Sequence, residues 1–188
     1  MVFHLPVNGK IIESEFDMAT AQISLEEYLR TSYHPDCDYV DGEVQERNWG
    51  EFDHGASQAF LGSWFFQHRQ DWQLHVLVEM GVRVSAERVR IPDVCLVARG
   101  QEIEQVLTRP PLAVIEILSP EDRIVRYNER LADYRQMGIQ NVWIIDPANR
   151  LGYDCSTPAW LPVEEFRIAG SPIFLQLNDL WSELQANR

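Results

Sequence analysis

Residues 91–120 read IPDVCLVARG QEIEQVLTRP PLAVIEILSP. The two apolar runs in this stretch, Val94–Ala98 and Leu112–Leu118, are rich in β-branched residues and bounded by turn formers, as in strands buried on both faces. Each run carries a carboxylate where a core strand should have none: Asp93 opens the first and Glu116 lies inside the second. A lone carboxylate in a dry strand is costly unless it is paired, protonated or bound to a metal. If the strands are neighbours, the two acids can share a cation, and pairing with a nearby arginine is the alternative.

The surrounding chain sets the frame. Its 188 residues are 45% hydrophobic and 11% aromatic, enough for one folded core. The opening MVFHLPVNGKIIE lacks the basic and long apolar segments of a signal peptide, and no apolar run approaches the roughly 20 residues of a membrane helix. The expectation is a cytoplasmic protein with no membrane partner. Cys37, Cys95 and Cys155 are odd in number and widely spaced, which argues against disulfides and zinc and for reduced thiols.

Net charge is −13, which repels a polyanion at long range. Its distribution is uneven. Residues 1–82 hold 4 basic and 14 acidic side chains, whereas residues 83–135 hold 9 of each, every basic one an arginine. A salt-bridged surface and a phosphate-facing patch both account for that concentration.

From the N-terminus, residues 1–22 show no periodicity and read as an arm, with residues 23–188 forming a single domain. Ser24 and Glu27 make the S-x-x-E capping box of a short helix to about Tyr33. Asp41-Gly42 between two short apolar segments marks a hairpin, with Glu43 just past the turn. Asp53 is placed to cap a helix in which Phe60, Leu61, Trp64 and Phe65 face the core, with His54 on its first turn. WQLHVLVEMGVRVS reads as a strand continued past a bend at Gly81, with Glu79 at its apolar end. That strand should lead directly into the Asp93 strand. The connection 100–111 is polar with at most one helical turn. Asp122 should cap an arginine-rich helix stopped by Gly138, followed by the buried strand NVWIIDP, short strand-like pieces around LGYDCS and EEFRIAG, and the amphipathic helix NDLWSELQ. The architecture is α/β, a mixed central sheet flanked by helices.

Oxygen ligands emerging from adjacent strands suit magnesium, which takes one or two carboxylates and completes its shell with water and phosphate oxygens. No GxGxxG, Walker loop, HExxH or GxSxG is present.

The order IPDVCLV, LAVIEILSP, an ER-x3-Y helix and GI-x2-VWIIDP, preceded by YVDGEV and the His54 helix, resembles the Uma-type putative restriction endonuclease family of the PD-(D/E)XK nuclease superfamily. The resemblance spans roughly residues 24 to 150. It implies a restriction-endonuclease-like fold and Mg²⁺-dependent cleavage of DNA, with Mn²⁺ as an alternative ion. It makes Asp93 and Glu116 catalytic metal ligands and the carbonyl of Ile117 a further ligand; Glu79 is the candidate third acid. The superfamily's lysine would fall at Leu118. In the Uma-type family it moves to the following helix, where this chain has Arg130, and the single lysine here is Lys10. An arginine is effectively always charged and cannot act as a base, but it can hold a phosphate. Glu43, His54, Glu129 and Tyr134 are accessory candidates, with Glu129 and Tyr134 flanking Arg130 at helical spacing. Trp143 and Asp146 read as core and turn residues. Two readings stay open, a nuclease and a catalytically weak or inactive nuclease-fold protein that binds DNA or a partner, with a hydrolase of smaller phosphodiesters as a weaker third. Two sites would cut both strands more easily than one, which suggests a homodimer, although no residue specifies it.

Overall fold

The computed structural model describes residues 22–34, 36–47, 51–119 and 124–186, with the backbone alone for 124–126. The arm expected at 1–22 and the expected cap Asp122 lie, Gln22 excepted, outside the described residues.

Ser24 caps α1 (Leu25–Arg30), its hydroxyl accepting from the Glu27 amide at 3.1 Å, which is the Ser24 half of the expected capping box, and the helix stops at Arg30, short of the expected Tyr33. A two-residue turn then joins β1 (Cys37–Val40) to β2 (Glu43–Glu46) in the register Val40↔Glu43. Asp41 (φ 50°) and Gly42 (φ 96°) both take left-handed backbone there, as this tight hairpin turn requires. The next helix, α2 (Phe52–His68), is capped by the backbone of Glu51 rather than by the Asp53 side chain: Asp53 already lies within the first turn. Its core face is as expected, with Leu61 and Phe65 fully buried and Phe60 and Trp64 packed partly beneath them.

The expected continuous strand around Gly81 is two strands in two sheets. β3 (Leu74–Val78) ends at Glu79, which has a left-handed φ of 50°, and the chain then leaves for β4 (Val82–Ser85) and β5 (Arg88–Arg90). β4 and β5 join the hairpin in a four-stranded antiparallel sheet ordered β2-β1-β5-β4. Glu79 therefore does not lead directly into the Asp93 strand. A periodicity argument cannot see this departure, because both halves keep strand-like alternation.

The central sheet has six strands in the order β10-β9-β8-β7-β6-β3. β6 (Val94–Ala98) runs antiparallel to both β3 and β7 (Ala113–Ile117). The 101–112 connection holds no helical turn; Leu107 bridges Val82 instead. From β7 the chain crosses through α3 (Ile124–Met137) to β8 (Asn141–Asp146), which pairs parallel to β7 and fixes the direction the sequence left open. Gly138 (φ 96°) stops α3 as expected. β9 (Leu151–Asp154) and β10 (Leu161–Val163) complete the sheet antiparallel, and β11 (Glu165–Arg167) with β12 (Phe174–Gln176) forms a separate ribbon before α4 (Leu177–Ala186).

Strand alternation divides the core into two layers. Val94, Leu96, Ala113, Ile115, Ile117 and Trp143 pack against α2 and α4, with the Trp143 ring stacked on Phe166 at 4.7 Å. Cys95, Val97, Val114, Val142 and Ile144 face α3 through Tyr127, Leu131 and Tyr134. Glu116 alternates with Ile115 and Ile117 and so points into the second layer, beneath α3.

A candidate active site beneath helix α3

Continuing the β6–β7 register one step beyond Val94↔Ile115 sets Asp93 opposite Glu116. Both are buried, at 1% and 0% exposure, so each needs partners in the protein. Asp93 Oδ1 accepts from Arg47 Nη2 at 2.5 Å. Its Oδ2 accepts from the Ile117 amide at 2.7 Å and lies 3.4 Å from His54 Nε2. Glu116 Oε2 accepts from Arg130 Nη1 at 2.9 Å, and Glu116 Oε1 from the Tyr134 hydroxyl at 2.5 Å. α3 delivers both partners, because Arg130 and Tyr134 stand four apart and share one helix face.

Arg130 does not end there. Its Nη2 donates to Asp38 Oδ2 at 2.8 Å, and Asp38, in β1, also accepts from Arg90 Nη1 at 3.1 Å and from the Ile91 amide at 3.1 Å. Arg90 in β5 continues to Asp133 at 2.7 Å, and Asp133 receives Arg88 at 3.0 Å. Arg88 reaches Glu129 at 3.0 Å and Asp41 at the hairpin turn. Three of the nine arginines of residues 83–135, Arg88, Arg90 and Arg130, thus form an internal ladder of ion pairs clamping the small sheet onto α3. Such a ladder holds position more than it adds stability, since each buried charge has been taken from water.

The electrostatics of the two acids diverge. Burial would raise the Asp93 pKa, but His54, Arg47 and the Ile117 amide together bring it below the usual aspartate range. Burial pushes Glu116 up to about 7, with Arg130 acting against the rise and Asp93 adding to it. Burial also works against a charge on His54, yet the Asp93 carboxylate outweighs it and raises the imidazole above its ordinary value. Arg130 pays a desolvation cost too, but Glu116 and Asp38 keep it fully protonated.

The remaining expected site residues fall as follows. Ile117 lies beside Asp93 through its amide, and its carbonyl accepts the Tyr127 hydroxyl at 3.2 Å. Glu79 donates its backbone amide to the Asp93 carbonyl at 3.2 Å, but its side chain is 47% exposed and lies 3.9 Å from Arg47 Nη1. Glu129 belongs to the outer end of the ladder, where it meets Arg88 rather than either inner acid. Glu43 is half-buried in β2. Asp146 serves its turn, accepting from the Asn149 amide at 3.1 Å.

Asp38, Arg47, Arg90 and Asp133 were not singled out from the sequence. The available signal was weak: Asp38 is an acid within CDYV, a fully buried strand.

The donor set fits an oxygen-seeking divalent ion of the kind that keeps much of its own water, since two carboxylates face each other with a backbone carbonyl nearby. The guanidinium groups of Arg47 and Arg130 already occupy cationic positions against these acids. A closed cage is not present: among the described residues no three His, Cys, Asp or Glu side chains gather to hold a metal. Among the described residues, too, no helix is long and apolar enough to cross a membrane.

The fold is similar to that of the crystal structure of a putative nuclease belonging to DUF820 from Anabaena variabilis ATCC 29413. The two superpose with a TM-score of 0.72 at 20% identity, over 86% of this chain and 99% of that one. No curated protein gave a significant match. A family model described as Uma2, putative restriction endonuclease, matches residues 25–152, which hold both acids and the ion-pair ladder from Asp38 to Asp133. The chain belongs to the Uma2 family of putative restriction endonucleases.

Proposed function

We propose that this chain is a magnesium-dependent deoxyribonuclease, able to use manganese, that hydrolyses DNA phosphodiester bonds at the Asp93–Glu116 pair. The observation that carries this reading is two buried carboxylates opposed across neighbouring strands, with the Arg130 guanidinium on one of them. Asp93 and Glu116 would hold the ion, with the Ile117 carbonyl as the further ligand that the family resemblance implies. When bound there, a divalent ion supplies Lewis-acid stabilisation of phosphoryl oxygens and a more acidic water.

The chain's own groups divide the remaining work. Arg130 keeps 17% of its side chain exposed, which lets its permanently charged head meet a phosphate and stabilise charge that develops on it. It cannot take a proton from water, so it does not repeat the base role of a lysine. Tyr134 fixes the orientation of Glu116 through Oε1. His54, whose proton affinity Asp93 raises, sits at the margin of the pair as a candidate proton donor.

A second reading is a nuclease-fold protein that binds DNA and cleaves it weakly or not at all. Arg130 in the lysine's place favours it, because the exchange removes a titratable amine.

Nicking of supercoiled plasmid in Mg²⁺ or Mn²⁺ tests both. The parent should nick, and Glu116→Gln and Asp93→Asn should abolish nicking. Activity that survives both substitutions sinks the site; DNA retention without nicking by the parent selects the second reading.

A further inference from the structure

Arg47 immediately follows β2, and its side chain is 13% exposed with the guanidinium bonded to Asp93 Oδ1 at 2.5 Å. Arg130 holds Glu116 in the same way at 2.9 Å. Each inner carboxylate therefore already carries a permanent cation, and Asp93 faces His54 as well. Burial makes a further surplus of charge expensive, so a divalent ion entering alone meets two guanidinium groups it must displace or repel. A phosphodiester changes that balance. It brings a negative charge together with two oxygens in the planar, paired arrangement that a guanidinium binds in bidentate fashion.

We propose that Arg47 is a phosphate-binding residue of this site: it covers Asp93 at rest and exchanges that carboxylate for a backbone phosphate of DNA when a divalent cation takes its place. Cation and phosphate uptake are then mutually dependent, and the dependence is reciprocal: each ligand raises the affinity for the other by the same factor. Arg47 suits the exchange better than Arg130, which Asp38 holds through a second bond at 2.8 Å. Beyond Asp93, the ion pair that Arg47 makes among the described residues is with the exposed Glu79, at the longer distance of 3.9 Å. The proposal rests on the reading that Asp93 and Glu116 hold a divalent ion.

The test is calorimetric titration of Mn²⁺ into the full chain, with and without a short duplex oligodeoxynucleotide of phosphorothioate backbone. The parent, Arg47→Ala and Arg47→Gln are compared, with circular dichroism melts to confirm folding and Arg47→Gln as the variant that keeps most of the side-chain volume. In the parent, the oligonucleotide should tighten Mn²⁺ binding roughly tenfold. Both variants should bind Mn²⁺ alone more tightly than the parent, bind the oligonucleotide more weakly and lose most of the coupling. Unchanged Mn²⁺ affinity in the folded variants, or oligonucleotide affinity equal to the parent's, overturns the role of Arg47 while leaving the metal site standing. Absence of Mn²⁺ uptake by parent and variants alike, with or without the oligonucleotide, overturns the metal reading and this proposal with it.

Discussion

Asp38 of β1 and Arg130 of α3, 92 positions apart in the chain, are joined by a hydrogen bond of 2.8 Å that ties the small sheet to the helix carrying the site. Asp38 serves Arg90 and the Ile91 amide at the same time, so one carboxylate organises two buried guanidinium groups. Removing it as Asp38→Ala leaves both without their shared anion and should cost about 3–5 kcal/mol. Asp41→Asn, which removes the charge at the 56%-exposed outer end of the same ladder while keeping a residue that tolerates the left-handed turn, should cost at most about 1 kcal/mol. Urea unfolding of the two variants compares them directly, and equal losses would show that the ladder is not graded by burial.

The proposed function assigns Arg130 to the phosphate being cleaved. Arg130→Ala should lower plasmid nicking by about 10²–10³-fold, the range for losing a positioned charge that stabilises a transition state. Arg130→Lys restores charge and adds a titratable amine, and should recover a large part of the rate. A nicking rate unchanged in Arg130→Ala would remove this side chain from the chemistry.

Metal-free stability should fall as pH rises. Glu116 titrates from an ordinary 4.5 up to about 7 on folding, so the folded state holds the extra proton between those values. Its contribution is intact below pH 4.5 and is lost by the time pH passes about 7. His54 adds to the same trend: its raised folded value makes its contribution complete below 6.5 and lost as pH climbs through that raised value. Asp93, held low, acts oppositely and in a separate window: its contribution is present above 3.8 and lost as acid drives pH through its depressed value. Melting temperatures of the parent, Glu116→Gln and His54→Gln between pH 5 and 8 separate the first two. A parent slope unchanged in both variants would contradict the assignment.

Added metal should reverse that decline, because carboxylate ligands bind only when deprotonated. Mg²⁺ should raise the melting temperature more at pH 8 than at pH 5.5, and its removal by chelation should return the metal-free value. The difference should vanish in Glu116→Gln. A shift equal at both pH values would place the ion elsewhere.

Packing behind the sheet offers a test independent of charge. A Cβ on Gly152 would lie 2.2 Å from Leu177 Cδ1 and 3.3 Å from Phe166 Cζ, so β9 and α4 meet only because that residue is glycine. Gly152→Ala should destabilise by about 1–3 kcal/mol. Combining it with Leu177→Ala, which clears the nearest atom, should cost less than the sum of the two single changes. Additive losses would mean that α4 does not press on β9 at this point.

The sequence by itself determined the elements whose causes are local. The capping box at Ser24, the Asp41-Gly42 turn, the glycine stop at 138 and the apolar strands all follow from chemistry within a few residues. It also exposed Asp93 and Glu116 as acids out of place, while the expectation of a lysine at Arg130 came from the family resemblance alone. The tertiary structure alone decided where the chain changes sheets at Glu79, and which partners the buried charges take. Asp38 with Arg130, Arg90 with Asp133, and Arg47 with Asp93 are 92, 43 and 46 positions apart. An acid in an apolar run announces that it needs a partner, because burial without one is too costly. Which partner it takes depends on the packing of two sheets against one helix, and no periodicity in the chain records that.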